Sequence, residues 1–301
     1  MKRGDLLRRV IIAFIAIMLT ACAGLTDRHS GVESGPVNSA GPDDIIIKER
    51  SFVNPEGRTI EDRILVPEGF ERTSVEPGSF AEYLRNLPLK PHGSRVLYYD
   101  GRVKERDVHQ AVVDMDIGDR DLQQCADAVI RLRAEYLYGT GQYEKIHFNF
   151  TNGFNARYIK WMQGSRISVN GNNVSWVDGA GYSDDYESFR EYLDMVFAYA
   201  GTLSLSKELK RLDACDIGIG DVFIRGGSPG HCAIVVDMAR CVETGKKIFL
   251  LAQSYMPAQD IHILKNTMDA GIGPWFRADF GDELVTPEWT FKGDQLMRFA
   301  E

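Results

Sequence analysis

The order of the predicted elements favours an α+β fold. Segments with helical spacing of apolar residues lie mostly before residue 200, whereas predicted strands cluster after Gly220. Elements separated in this way along a chain usually build helices on an antiparallel sheet, not alternating units around a parallel one. Hydrophobic residues make up 44% of the 301 positions and aromatic residues 10%, which is enough apolar material for a large core.

Residues 1–21 have the features of a bacterial lipoprotein signal peptide. Basic residues precede an apolar run over Val10–Leu19, and Leu19–Cys22 is a lipobox sequence. The run is too short to span a bilayer as a mature helix. We expect Cys22 to become the lipidated first residue, the alternative being an ordinary signal peptide with a cysteine at its cleavage site. Ala23 after it favours the outer membrane, facing the periplasm, if the source is Gram-negative.

The charge balance restricts the partners. Removing residues 1–21 takes away four basic side chains and Asp5, so the formal net charge changes from −8 to −11. A chain with this net negative charge is a poor candidate for binding nucleic acid or an anionic membrane surface. We expect the lipid alone to hold it at the membrane, through a tether over residues 22–44 that is rich in Gly, Ser, Pro and Asp.

Residues 45–118 are predicted to form an N-terminal α/β extension that packs on the core. A short helix is predicted over Phe80–Leu87 and a hairpin-type turn at Asp100-Gly101. Strands are predicted over Arg63–Val66, Arg95–Tyr99 and Val112–Met115.

Residues 119–301 are predicted to form the core, with an insertion at about residues 165–210. Apolar residues recur at helical spacing from Asp121 to Tyr138, and glycines at 139 and 141 end the pattern. The insertion holds a predicted hairpin over 167–176 and a second helix over Tyr186–Tyr199. Strands are predicted over Val222–Arg225, Ala233–Met238, Ile248–Gln253 and Ile261–Leu264.

Three residues of this core suit a nucleophilic site. Cys125 lies near the start of the first long helix, where the helix dipole lowers the pKa of a thiol. It lies on the apolar face of that helix, which is expected to pack on the sheet. His231 opens a strand, and alternation places it on one face with Ala233, Val235 and Asp237. Gln253 lies near the end of the next strand on the same face. Cys125 would attack a carbonyl, His231 would carry the proton and Gln253 would orient the ring.

The Cys125 backbone N–H, with the side chain of Gln123 or Gln124, would offer an oxyanion site. Each residue also has a simpler explanation, since Cys125 could be a buried small side chain, His231 a strand-end histidine and Gln253 an ordinary polar residue. No metal or cofactor is expected, because the six histidines are scattered and no Cys-x-x-Cys or His-Glu-x-x-His occurs.

Cysteine pairing stays open at this stage. With Cys22 lipidated and Cys125 free, Cys215, Cys232 and Cys241 allow at most one disulfide in an oxidising envelope. Cys232 and Cys241 lie at opposite ends of one predicted strand, which argues against their pairing. Cys215 could pair with either.

Four segments carry a resemblance to a known family: Gln123–Ala128, Ile146–Phe154, Tyr199–Leu205 and Ala252–Ile261. They resemble a family of bacterial envelope lipoproteins defined as domain of unknown function number 4846, over roughly Phe52 to Phe299. That resemblance implies no activity.

A looser resemblance is to the NlpC-type and CHAP-type amidases, which share a papain-like core. It rests on Gly220-Asp221-Val222, Gly230-His231 and Leu251–Tyr255. It implies a papain-like α+β core with Cys125, His231 and Gln253 in the nucleophile, base and orienting positions. Two features depart from the pattern: 106 residues separate Cys125 from His231, and the third residue is Gln instead of Glu, Asn or His.

Two functions remain. One is a lipid-anchored cysteine hydrolase, an amidase or peptidase acting on peptidoglycan peptides. The other is a non-catalytic envelope lipoprotein that uses the same fold to bind a peptide or protein partner, with Trp161, Trp176 and Trp275 as surface aromatics.

Overall fold

The protein is described by a computed structural model over residues 51–300. The described residues belong to one compact unit. The predicted signal peptide, Cys22 and the tether lie outside the described residues. The fold is α+β, as the sequence predicts, with a large antiparallel sheet and a small number of helices.

Six α-helices occur in the described part of the chain: α1 (Ile60–Arg63), α2 (Phe80–Arg85), α3 (Cys125–Gly139), α4 (Tyr158–Met162), α5 (Tyr186–Tyr199) and α6 (Thr202–Glu208). The strands before the central sheet are β1 (Phe70–Arg72), β2 (His109–Val112), β3 (His147–Asn149), β4 (Asn155–Arg157), β5 (Ser165–Asn170), β6 (Asn173–Asp178) and β7 (Lys210–Arg211). The later strands are β8 (Val222–Arg225), β9 (His231–Cys241), β10 (Lys247–Gln253), β11 (His262–Leu264), β12 (Phe276–Arg277), β13 (Glu283–Val285), β14 (Thr290–Lys292) and β15 (Leu296–Arg298).

Nine strands form the main sheet. Its order is β2-β11-β10-β9-β8-β15-β7, with β1 paired to β9 and β12 to β10. The long strands β9 and β10 lie at its centre and are buried almost throughout. The remaining pairs β3-β4, β5-β6 and β13-β14 are two-stranded. The predicted N-terminal extension supplies β1 and β2 to the main sheet.

Each face of the sheet carries its own core. Cys232, Ile234 and Val236 of β9 belong to a core that also contains the apolar residues of α3 and α5. Ala233 and Val235 pack on the other face with residues of β13 and β14, including Leu284 and Phe291. The sheet is therefore sandwiched between helices on one side and a small β-hairpin layer on the other.

Alternation along β9 breaks at a bulge, which corrects one expectation. Leu251 pairs with Val235 but Leu250 pairs with Asp237, so Val236 is an extra residue in this strand. The bulge moves Asp237 off the face of His231, Ala233 and Val235. Its carboxylate instead binds Arg72 and Arg85 at 2.7 Å each, where burial requires charged partners.

Helix α5 and strand β8 have the predicted bounds, and β9, β10 and β11 differ from prediction only at their ends. The strand predicted over Arg63–Val66 is wrong, because Thr59 caps α1 through residue 63 and only an isolated bridge at Ile64 follows. Arg95–Tyr99 likewise forms only isolated bridges, and β2 ends at Val112, where its prediction begins. In these segments backbone hydrogen bonds to loop residues replace a strand ladder, such as Leu65 N–H to the Phe52 carbonyl and Tyr99 N–H to the Ala258 carbonyl.

Candidate active site at the start of helix α3

Cys125 is the first residue of α3. The chain turns at residues 121–122, and the Asp127 side chain accepts a hydrogen bond from the backbone N–H of Gln124 at 3.0 Å, which caps the helix. As a first-turn residue, Cys125 has no intrahelical partner for its own N–H. The residue is 7% exposed and belongs to the core between α3 and the sheet.

His231 is the first residue of β9 and is held there by the glycine turn before it. A Cβ on Gly230 would lie 2.3 Å from the carbonyl oxygen of Gly227 and 2.4 Å from Thr202 Oγ1, so only glycine fits. The imidazole is 1% exposed. Its ring lies 4.7 Å from that of Tyr255, 5.3 Å from Trp289 and 5.8 Å from Phe291, measured between centroids.

The thiol of Cys125 adjoins the side chains of two consecutive residues of β9. A hydrogen bond with Cys232 lowers the thiol pKa most, and burial opposes it. A hydrogen bond with His231, the charge of that imidazole and the backbone N–H of Ala126 lower the pKa further, to about 5. Burial and the neighbouring Cys125 raise the pKa of Cys232 well above its usual value. Cys232 therefore stays a thiol and can donate to a Cys125 thiolate.

Gln253 contacts His231 as the alternation predicts. Ala252 pairs with Ile234, which places Gln253 diagonally across from His231 on the same face. Gln253 Oε1 lies 2.8 Å from His231 Nε2. Both residues are 1% exposed, so this contact is shielded from water.

Behind Gln253 lies a buried polar network that sequence reasoning missed. Gln253 Nε2 donates to Glu288 Oε2 at 2.8 Å and lies 3.4 Å from His262 Nε2. Glu288 Oε2 also accepts from Lys104 Nζ at 2.8 Å. Glu288 comes from the loop between β13 and β14, so no local pattern could have linked it to β10. His262 could have been found, because it opens the strand next to Gln253.

The two oxyanion candidates differ in their partners. Gln124 Nε2 donates to Asp121 Oδ1 at 3.0 Å on the surface, which turns that side chain away from a donor role. Gln123 is wholly buried and its Oε1 accepts from Arg131 Nη1 at 3.0 Å, but its Nε2 has no hydrogen-bond partner among the described residues. Gln123 therefore keeps one unpaired buried donor, two residues before Cys125.

Two further expectations are tested by burial and by the cysteines. Trp161 and Trp275 are 5% and 0% exposed, so they are core residues and not surface aromatics, and Trp176 is partly buried. Trp161 Nε1 donates to Ser188 Oγ at 3.2 Å, and Trp275 Nε1 donates to the carbonyl oxygen of Leu65 at 2.9 Å. The four cysteines of the described part are all free thiols.

Over residues 51–300 no group of three or more His, Cys, Asp or Glu could hold a metal ion. No helix in that range is both long and apolar enough to cross a bilayer.

A family model described as Domain of unknown function (4846) matches residues 60–298. The chain belongs to this family. The match includes Cys125, His231, Gln253 and Glu288. No curated protein and no solved structure matches the chain.

Proposed function

We propose that this member of the domain of unknown function 4846 family is a cysteine hydrolase, an amidase or peptidase of the cell envelope. The observation that carries the proposal is the contact of a helix-start thiol, Cys125, with His231, which is itself hydrogen bonded to Gln253. This is the nucleophile, base and orienting residue arrangement of acyl-transfer sites. We further propose that α3, β9 and β10 correspond to a papain-like core, because the three residues occur on a helix and then two strands in that order.

The reaction follows from the charges. The Cys125 thiolate attacks a carbonyl carbon, and the resulting oxyanion accepts hydrogen bonds from the Cys125 N–H and Gln123 Nε2. His231 gives a proton to the leaving amine as the C–N bond breaks, which leaves a thioester on Cys125. His231 then takes a proton from water, the hydroxide attacks the thioester, and the acid departs with return of the thiolate.

The proposed substrate is a peptide amide of peptidoglycan, and the proposed location is the envelope. The support is the lipobox at Leu19–Cys22, which would tether the protein beside that polymer, at the outer membrane facing the periplasm if the source is Gram-negative. The net negative charge of the chain disfavours nucleic acid as a partner, and the lipid at Cys22 would be its membrane contact.

Incubation with peptidoglycan stem peptides and detection of newly released amines tests the proposal. We expect hydrolysis that Cys125→Ala lowers by about 10³-fold or more, because the covalent intermediate is lost. Cys215→Ala, which removes an exposed thiol from the surface, is the matched control and should retain the rate. Saturable binding of the peptides with no turnover in any variant would instead support the non-catalytic binding lipoprotein.

A further inference from the structure

Each hydrogen bond of the polar network behind His231 can be assigned a donor and an acceptor, starting from Glu288. The Glu288 side chain is 7% exposed and forms a salt bridge with Lys104 at 2.8 Å. Lys104 is equally buried, and its ammonium also donates to Gln259 Oε1 at 2.8 Å. A carboxylate paired with an ammonium is ionised and can only accept hydrogen bonds.

Glu288 therefore decides which end of the Gln253 amide faces it. The oxygen and nitrogen of a glutamine amide are assigned from their partners. Only the NH₂ group can donate to Glu288 Oε2, so Gln253 Oε1 must face the other way, toward His231 Nε2 at 2.8 Å.

His262 supports the same orientation independently. Its Nδ1 lies 2.9 Å from the carbonyl oxygen of Asp260, so that nitrogen carries the proton. Burial lowers the pKa of His262 to about 3, so the ring is neutral and its Nε2 is an acceptor. This Nε2 lies 3.4 Å from Gln253 Nε2, which gives the second N–H of the amide a partner.

The orientation of Gln253 fixes the tautomer of His231. An amide oxygen cannot donate, so His231 Nε2 must carry the proton in the contact with Gln253. The lone pair of the neutral ring is then on Nδ1, the nitrogen left for Cys125. We propose that Glu288 is a positioning residue that, through Gln253, holds His231 in the tautomer with Nδ1 free to accept the Cys125 proton. The inference rests on the proposed role of Cys125 and His231.

The protein without substitution gives the first test. In the full chain labelled with ¹⁵N-histidine, the His231 ring signals are identified by their loss in His231→Asn. When the ring is neutral, we expect the shift pattern of an Nε2–H tautomer with an unprotonated Nδ1. An Nδ1–H tautomer would overturn the proposal without any need for turnover.

Two substitutions at Glu288 separate the loss of its hydrogen-bond acceptor from the mere replacement of the side chain. Glu288→Leu removes the acceptor, and we expect part of the His231 signal to leave the Nε2–H form. Alkylation of Cys125 at pH 6.5 should then slow by about 2- to 10-fold, the effect of losing one buried hydrogen bond. Glu288→Gln should restore the tautomer, because its amide oxygen would face both Lys104 and Gln253.

A matched control is Glu208→Leu. Glu208 is also largely buried and accepts a backbone hydrogen bond, from Asn149 at 2.8 Å. This control should leave the His231 signals unchanged. If a folded Glu288→Leu protein keeps the native tautomer and alkylation rate, Glu288 has no positioning role. If that variant does not fold, an Nδ1–H tautomer in the protein without substitution would still overturn the proposal.

These readouts separate the two proposals. An Nε2–H tautomer that depends on Glu288, in a protein that hydrolyses nothing, would leave the positioning role intact and contradict the hydrolase. Hydrolysis that depends on Cys125, with a tautomer indifferent to Glu288, would do the reverse.

Discussion

At the scale of single residues, the Cys125 thiol lies beside a second thiol, that of Cys232. Hydrogen bonding with Cys232 is the largest influence that lowers the Cys125 pKa, ahead of His231. This role does not follow from the sequence, in which Cys232 is one of three candidates for a disulfide. Its side chain shares the α3-facing core with Cys125.

Cys232→Ala should therefore raise the pKa of Cys125. A hydrogen bond to a charged group contributes about 1.5 to 3 kcal/mol, so the midpoint of thiolate formation should move up by about 1 to 2 pH units. The measurement is the pH dependence of alkylation in a protein that lacks Cys22, Cys215 and Cys241. An unchanged midpoint would show that Cys232 is only a packing residue.

Asp127 is a buried carboxyl beside this thiol. Burial raises its pKa well above 3.8, and its Oδ1 has no hydrogen-bond partner within the described residues. Because the folded pKa lies above the unfolded value, protonation stabilises the fold at low pH. That stabilisation is lost as pH rises above about 4, where only the unfolded chain ionises.

Asp127→Asn should thus stabilise the protein more at pH 8 than at pH 4. The neutral amide can still cap α3 and never ionises, so the stability gain should grow by about 1.4 kcal/mol for each pH unit between the two pKa values. Urea unfolding of both proteins across this pH range measures the difference. A gain that does not depend on pH would contradict a raised pKa.

At the scale of elements, one buried carboxylate connects strand β9 with strand β1 and helix α2. Asp237 of β9 binds Arg72 of β1 and Arg85 of α2, and its side chain is wholly buried. The bulge in β9 makes this contact available by turning Asp237 toward both arginines.

Asp237→Leu should destabilise the protein by about 3 to 5 kcal/mol, because it leaves two guanidinium groups near the core without their carboxylate. Asp294→Leu is the control, since the contact of Asp294 with Arg211 is exposed and should contribute little. Urea unfolding midpoints compare the two. Equal and small changes would mean that solvent reaches the Asp237 cluster.

At the scale of the whole molecule, the sequence predicts the core elements well and their long-range partners poorly. Helix α5, strand β8 and the Cys125, His231 and Gln253 positions follow from local periodicity, which one segment carries by itself. Glu288 and Lys104 meet only because β13 and β14 fold over the sheet, and no spacing within either segment encodes that contact. The Val236 bulge was missed for the same reason, since it depends on the pairing register with β10.

The predicted lipid anchor at Cys22 also concerns the whole molecule. We expect Cys22→Ser to move the protein out of the detergent phase in Triton X-114 partitioning, because the acyl chains supply its membrane affinity. Partitioning like the unsubstituted protein would contradict the lipoprotein prediction.

The central claim is that Cys125 and His231 act together as nucleophile and base, and alkylation by iodoacetamide as a function of pH tests it most directly. The protein should lack Cys22, Cys215 and Cys241 so that labelling reports on the site. With a Cys125 pKa of about 5, labelling should already be near its maximum at pH 7, and His231→Ala should move the midpoint upward. Labelling that rises only near pH 8.5, alike in both proteins, would contradict the account.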